Sequence, residues 1–144
     1  MALKLSLKPG ETFILNGAVV RNGDRRGVLL LENQARILRE KDIMQPEEAT
    51  TPTRRAYFAI MQMYLAGETD GPVYDRTMRS LADLLAITPS VELREAITEI
   101  SAHVSAGRLY KGLARCRKLV HREDAESVDG VIAKRSASDR IVRS

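Results

Sequence analysis

An α+β fold is predicted by three observations. Leucines alternate with polar residues at the start, short apolar stretches separated by glycine-bearing turns fill residues 1–46, and apolar residues at helical spacing follow between proline and glycine stops. The expected organisation is a small five-stranded antiparallel β-module over 1–46, four helices over 47–122 and a flexible polar tail over 123–144.

Leu3, Leu5 and Leu7 alternate with Lys4, Ser6 and Lys8, the period-two pattern of a strand with one polar face. Pro9-Gly10 breaks the run. A second strand resumes from Thr12 to Leu15, Asn16-Gly17 supplies the positive-φ pair of a type I′ hairpin, and Ala18 to Arg21 returns. Asn22-Gly23-Asp24 turns again, Val28 to Leu31 is a continuous apolar strand, and Ala35 to Arg39 is the fifth.

The helical half opens at Thr51-Pro52, a cap residue followed by proline at the first helical position. Tyr57, Ile60, Met61, Tyr64 and Leu65 then share one face up to Gly67. Asp70-Gly71-Pro72 opens a second helix, with Tyr74, Met78, Leu81 and Leu85 on its apolar side and Thr88-Pro89 as its stop. Ser90 caps a third, whose stripe is Leu93, Ile97, Ile100 and Val104. Gly107 ends it as a C′ residue and starts a tight connection, so the third and fourth helices form a hairpin. Beyond Arg122 the chain is polar and rich in small residues, too sparse in apolar anchors to pack, hence the expected tail.

Composition narrows the function classes. With 44% hydrophobic and 29% charged residues among 144, the chain is ordinary globular material. Its N-terminus alternates where a signal peptide would have an unbroken apolar stretch, and no run approaches membrane-spanning length, which predicts a cytoplasmic protein with no membrane partner. The single cysteine, Cys116, excludes an internal disulfide framework. With only His103 and His121 as imidazoles no cluster has metal-ligand spacing, so neither metal nor cofactor is expected. Cys116 lies in the apolar stripe Leu109, Leu113, Cys116, Val120 and reads as a buried thiol rather than a nucleophile, and Glu47-Glu48 and Asp83 have no acid–base partner at useful spacing. No enzymatic activity is expected. A module of about 45 residues buries too little apolar surface alone, so it should pack on the helices, on a second copy, or on both, and a homodimer or higher homo-oligomer is expected.

Charge is unevenly placed. Residues 1–46 carry eight Lys+Arg against five acids, 47–106 five against nine, and 107–144 ten against five. Two basic ends around an acidic middle suggest an anionic partner or self-association through opposite charges. In the module, Lys4 and Lys8 share the polar side of the first strand, Arg21, Arg25 and Arg26 cluster at one hairpin end, and the fifth strand adds Arg36 and Arg39. Guanidinium groups pair bidentately with phosphate or guanine edges, so these seven residues are the candidate RNA contacts. The competing reading is that Lys4 and Lys8 merely solvate an edge strand and Arg25-Arg26 a turn. A second basic ridge, Arg108, Lys111, Arg115, Lys118 and Arg122, falls within a sector of roughly 80° on the fourth helix and is equally read as a solvated helix face. Tyr57, Tyr64, Tyr74 and Tyr110 sit at core-like spacing, which disfavours a stacking platform of aromatic rings.

The order of turns and side chains in LKLSLKPGETFILNGAVVRNGDRRGVLLLENQARILREKDIMQP, continuing into TTPTRRAYF, resembles the FlbT family of flagellum-biosynthesis regulators over residues 1 to about 122. That resemblance implies post-transcriptional control. Family members associate with the 5′ untranslated leader of flagellin messenger RNA and promote its decay, and some act as positive regulators. Leu3 to Glu11, with Ile37-Leu38-Arg39-Glu40 before Ile43, is also similar to the start and end of the CsrA family of RNA-binding proteins, which are five-stranded interleaved dimers. By position that similarity selects Lys8 and Arg39 as the gripping residues. Leu7 stands where the CsrA family has an arginine, so the preference for a GGA loop does not transfer.

Two functions follow as expectations. One is a repressor that holds a flagellin messenger leader on the β-module and promotes its degradation or blocks its translation. The other is an interaction factor whose helical half clasps a flagellar partner such as FlaF or flagellin. Arg39→Ala with Lys8→Ala is expected to weaken RNA binding without unfolding the chain, both side chains being placed on polar strand faces.

Overall fold

The computed structural model describes residues 3–142, with side-chain surroundings for residues 3–127. Five strands, β1 (Leu3–Leu7), β2 (Thr12–Leu15), β3 (Ala18–Arg21), β4 (Gly27–Leu31) and β5 (Ile37–Arg39), precede four helices, α1 (Pro52–Ala66), α2 (Pro72–Ile87), α3 (Val91–Ser105) and α4 (Leu109–Val142). The fold is α+β with antiparallel pairing, as the sequence predicts.

The strands divide into two sheets, a β1–β4 ribbon and a three-stranded sheet in the order β3-β2-β5. The β2–β3 hairpin is closed by Asn16 at φ 49° and Gly17 at φ 86°, setting Leu15 opposite Ala18 and Thr12 opposite Arg21. β5 is shorter than expected, and Arg36 just before it is held by Asn16 through one side-chain and one backbone bond. Its N–H donates to Asn16 Oδ1 at 2.8 Å, and its carbonyl accepts the Asn16 N–H at 2.8 Å. In the ribbon, Lys4 faces Leu30 and Ser6 faces Val28, while Leu3, Leu5 and Leu7 pair with Leu31, Leu29 and Gly27 on the other face.

The helix stops fall where the sequence puts them. Thr51 Oγ1 accepts the Arg54 N–H at 3.1 Å, Ser90 Oγ accepts the Leu93 N–H at 3.3 Å, and Gly67 closes α1 at φ 69°. α1 packs on α2 and α4, and α3 on α2 and α4. The buried face of α2 is centred on Thr77, Leu81 and Leu84, with Tyr74, Met78 and Leu85 only half-buried. That rotation is possible because Thr77 Oγ1 donates to Val73 O at 2.8 Å, so its hydroxyl enters the core satisfied. α4 continues past residue 122, and two of its residues fasten the start of α1: Thr51 Oγ1 donates to Glu123 at 2.7 Å, and Arg54 pairs with Asp124 at 2.8 Å. The rest of the expected tail, 128–144, lies outside the residues whose side chains are described.

Through β5 the strand module joins the helical core, while Leu7 and Phe13 are buried outside it. Leu38, 1% exposed, lies in a single cluster with Ile60, Met63, Leu81, Ile100 and Leu113. Two tyrosines bolt the β5 segment onto α1. The Tyr64 hydroxyl accepts the Ile37 N–H at 2.8 Å and donates to Ile37 O at 3.0 Å, and the Tyr57 hydroxyl donates to Asp42 O at 2.6 Å. A 3₁₀ turn, Glu40–Asp42, follows β5 directly, and a second, Pro46–Glu48, precedes α1; neither is visible in the hydrophobic pattern. Tyr110 departs from the core reading. It is 48% exposed because it sits in the first turn of α4, where Tyr64 is its ring neighbour at 5.5 Å.

Candidate nucleic-acid interface

Three of the seven strand-module cations meet in one place. Lys8 and Arg26 border an open groove of about 650 Å³, together with Ser6, Arg39, Glu40 and Lys41. The loops that carry them are fixed by Asn22. Its Nδ2 donates to Lys8 O and Arg25 O, both at 2.8 Å, its N–H donates to Glu11 O at 2.8 Å, and Gly10 N–H reaches Gly23 O at 2.8 Å. The β1–β2 and β3–β4 connections are thereby stitched into one rim. Lys8 and Arg26 are exposed and, among the described residues, have no carboxylate within ion-pair distance, and Lys41 shares both properties.

Arg39 has another role. Its Nε donates to Glu11 Oε2 at 3.0 Å and its Nη2 to Glu11 Oε1 at 2.8 Å, with a further contact to the Ser6 carbonyl. The guanidinium hydrogen bond, aided by the Lys8 N–H at 3.0 Å, holds the Glu11 carboxyl below its ordinary range. Arg39 therefore ties β5 to the β1–β2 connection at the floor of the groove, and much of its hydrogen-bonding capacity is spent on the protein itself. The expectation that its removal leaves the fold undisturbed does not follow from this geometry.

The other candidates are dispersed. Lys4 lies two residues along the same ribbon face from Ser6, opposite the exposed Leu30. Arg21 and Arg25 are exposed on the adjoining strand end and loop but do not line the groove. Arg36 turns toward a different cleft. The α4 ridge is largely engaged with its neighbours: Arg115 pairs with Glu99 on α3 at 3.3 Å, Arg122 with Glu92 at 2.8 Å and Glu126 at 3.1 Å, and Arg108 Nε donates to His103 Nδ1 at 3.0 Å. Only Lys111 and Lys118 of that ridge lack such a partner among the described residues. Cys116 is fully buried, and burial pushes its thiol up to about 12, far from the reactive range. Among the described residues no group of His, Cys, Asp and Glu is arranged to hold a metal ion, and no helix is long and apolar enough to cross a membrane.

Sequence reasoning missed Lys41, Arg117 and Tyr110. Lys41 is the middle residue of the 3₁₀ turn that follows β5, and Arg117 lies about 180° around α4 from Arg108, on the side read as apolar. Asp42, 3.0 Å away, neutralises that cation, while the Arg117 Nε and Nη2 are enclosed with no acceptor in hydrogen-bonding geometry.

Fold and groove together define an α+β protein whose core lies mainly among its helices and whose small strand module gathers Lys8, Arg26 and Lys41 around one groove, without carboxylate partners among the described residues. The model of the family described as flagellar protein FlbT matches residues 3–126, and the chain belongs to the FlbT family. It is 52% identical over 124 residues to the probable flagellum biosynthesis repressor protein FlbT of Caulobacter sp. (strain K31), covering 86% of this chain and 95% of that one. It is 50% identical over 124 residues to the flagellum biosynthesis repressor protein FlbT of Caulobacter vibrioides (strain ATCC 19089 / CIP 103742 / CB 15), covering 86% and 88%. The corresponding protein of Rhodopseudomonas palustris (strain TIE-1) is 39% identical over 125 residues, covering 86% and 96%. No solved structure matches the chain.

Proposed function

We propose that the chain is a cytoplasmic post-transcriptional regulator of flagellum biogenesis, a repressor that binds the 5′ untranslated region of flagellin messenger RNA and promotes its degradation or represses its translation. The observation that carries this reading is the convergence of Lys8, Arg26 and Lys41 around one open groove, without carboxylate partners among the described residues. Cations so placed gain most by meeting phosphates, and adjoining strand backbone can meet unpaired bases. The relatives named as flagellum biosynthesis repressors support the regulatory half of the proposal. The chain acts by occupancy and cuts nothing itself. A homodimer suits the ribbon, because Val28 and Leu30, 58% and 56% exposed, leave apolar surface on its outer face for a second copy.

The test is a salt-titrated binding assay with a labelled flagellin leader RNA and a scrambled control, repeated with Lys8→Gln/Arg26→Gln. Selective binding should weaken by about tenfold or more in the variant. The salt dependence should flatten by about 0.7 in logarithmic slope for each lost phosphate contact. Equal affinity for both RNAs, unchanged in the variant, would transfer the function to the second reading, a protein partner such as FlaF or flagellin on the helical half. The feature favouring that reading is the exposed Ile87 and Val91 at the α2–α3 corner.

A further inference from the structure

A larger cleft, about 930 Å³, shares Arg39 and Lys41 with the groove and is otherwise built from different residues. The inner leucines of the ribbon, Leu3, Leu5 and Leu31, form part of its lining. Arg36, Tyr64, Tyr110 and Arg117 form another part. Its size is that of a small-molecule site.

Three features of the lining point to one ligand chemistry. Tyr110 is steadied by Tyr64, with ring centroids 5.5 Å apart and planes tilted by 52°, yet remains 48% exposed, so it offers a flat aromatic surface held in place. Arg36 rests against the end of α1, where a Cβ on Gly67 would stand 2.9 Å from its guanidinium carbon, and among the described residues it has no carboxylate partner and an enclosed Nε without an acceptor. The half-buried guanidinium thus has donors to spare for an entering anion. The charge of the lining is also one-sided. Asp42 is neutralised by Arg117 and Arg39 by Glu11, which leaves Arg36 and Lys41 opposed by Glu32 alone.

We infer that this cleft is a nucleotide site, in which Tyr110 and the ribbon leucines take a planar base while Arg36 and Lys41 take its phosphate. A carboxylate or bare phosphate would use the cations and waste the ring; an uncharged aromatic would leave Arg36 unanswered. A nucleoside phosphate satisfies both, and it can be a free mononucleotide or one unpaired nucleotide of an RNA strand. For its physiological ligand the inference rests on the RNA-binding reading, but the site shares only Arg39 and Lys41 with the groove and does not use Lys8 or Arg26.

Full-length protein is titrated calorimetrically with guanosine and adenosine monophosphates, ribose 5-phosphate, inorganic phosphate and an unstructured heptaribonucleotide. Arg36→Gln, Tyr110→Ala, Tyr110→Phe and Lys8→Gln/Arg26→Gln are compared, each checked for native circular dichroism. At least one nucleotide or the oligonucleotide should bind saturably, about tenfold or more tighter than ribose 5-phosphate, with a similar loss in Arg36→Gln and Tyr110→Ala and retention in Tyr110→Phe. Mononucleotide binding should be indifferent to Lys8→Gln/Arg26→Gln. A heptamer about tenfold tighter than the mononucleotide assigns the site to an RNA strand, and equal affinities assign it to a free nucleotide. No saturation by any nucleotide, affinity unchanged in Arg36→Gln and Tyr110→Ala, or inorganic phosphate binding as well as the nucleotide would overturn the inference. So would a dimer that fills the cleft and dissociates in Tyr110→Ala. Leader RNA that ignores Lys8→Gln/Arg26→Gln while nucleotides still respond to Arg36→Gln would sink the groove and leave the cleft standing.

Discussion

Arg39 and Glu11 show how one pair of side chains can look like a binding site in sequence and behave as a fastener in space. They come from β5 and the β1–β2 connection, 28 positions apart, and meet through two parallel hydrogen bonds at 2.8 and 3.0 Å, with their side chains 29% and 11% exposed. Hydrogen bonds to charged partners in a half-buried setting contribute roughly 1–3 kcal/mol, so Glu11→Gln should destabilise the chain by that order in urea unfolding at pH 7. The pH dependence has a definite sign. Because Arg39 lowers the Glu11 pKa from its ordinary 4.5, the folded state binds its proton less readily than the unfolded chain. The stabilisation is complete above pH 4.5 and is lost as pH falls through the lower folded value. The gap between wild type and Glu11→Gln should therefore hold steady from pH 7 to about 5 and close in stronger acid. A gap that widened in acid would contradict this assignment. Nothing in the spacing of a single sequence announces such a pair, since the partner of a strand arginine is set by which loops the fold brings beneath it.

Among the elements, those governed by local chemistry were legible in the sequence. Asn16-Gly17, Thr51-Pro52, Ser90 and Gly107 each act on backbone within a few residues of themselves, and the hairpin and three helix boundaries lie where they point. Elements set by distant partners were not legible. β5 starts at Ile37, with the Arg36 N–H taken by a side chain 20 positions away, and the face of α2 turned to admit Thr77. Gly67 links this scale to the proposed nucleotide cleft. Both Gly67 and Gly17 have positive φ, at 69° and 86°, where an alanine costs roughly 1–2 kcal/mol. Only at Gly67 would the new methyl meet the Arg36 guanidinium, whereas at Gly17 it finds ordinary contact with Leu65 O at 4.0 Å. Gly67→Ala and Gly17→Ala should thus lose similar stability by thermal melting, the long Arg36 side chain yielding cheaply, while nucleotide affinity falls in Gly67→Ala alone.

For the molecule as a whole, the decisive feature is that the strand module has little core of its own, with Leu7 and Phe13 buried outside the helical cluster and Leu38 its deepest link into it. Leu38, the centre of a three-residue strand, is 1% exposed and packs into the cluster formed by all four helices, while Tyr57 and Tyr64 hold the main chain on either side of it. The arithmetic of size anticipated this dependence, since a module of about 45 residues cannot bury enough apolar surface alone. What no periodicity could foretell was that the helical half would accept the module through β5 rather than through the ribbon, whose outer face stays open with Val28 and Leu30 exposed. The groove and the cleft both lie where β5 meets the 3₁₀ turn, so a ligand at either proposed site would rest on a segment tied to the helical core through Leu38 and the two tyrosine hydroxyls. Leu38→Ala, a buried large-to-small change, should cost about 2–5 kcal/mol. Because Leu38 sits in the helical core, that loss should appear equally in the helical signal at 222 nm and in the near-ultraviolet tyrosine signal, to which Tyr57 and Tyr64, bonded to the β5 segment at the junction, contribute, as one transition moved to lower urea. If instead the junction signal vanished at low urea while the helices kept the wild-type midpoint, the module would be an independently melting unit, and coupling of its sites to the helices would have to be abandoned.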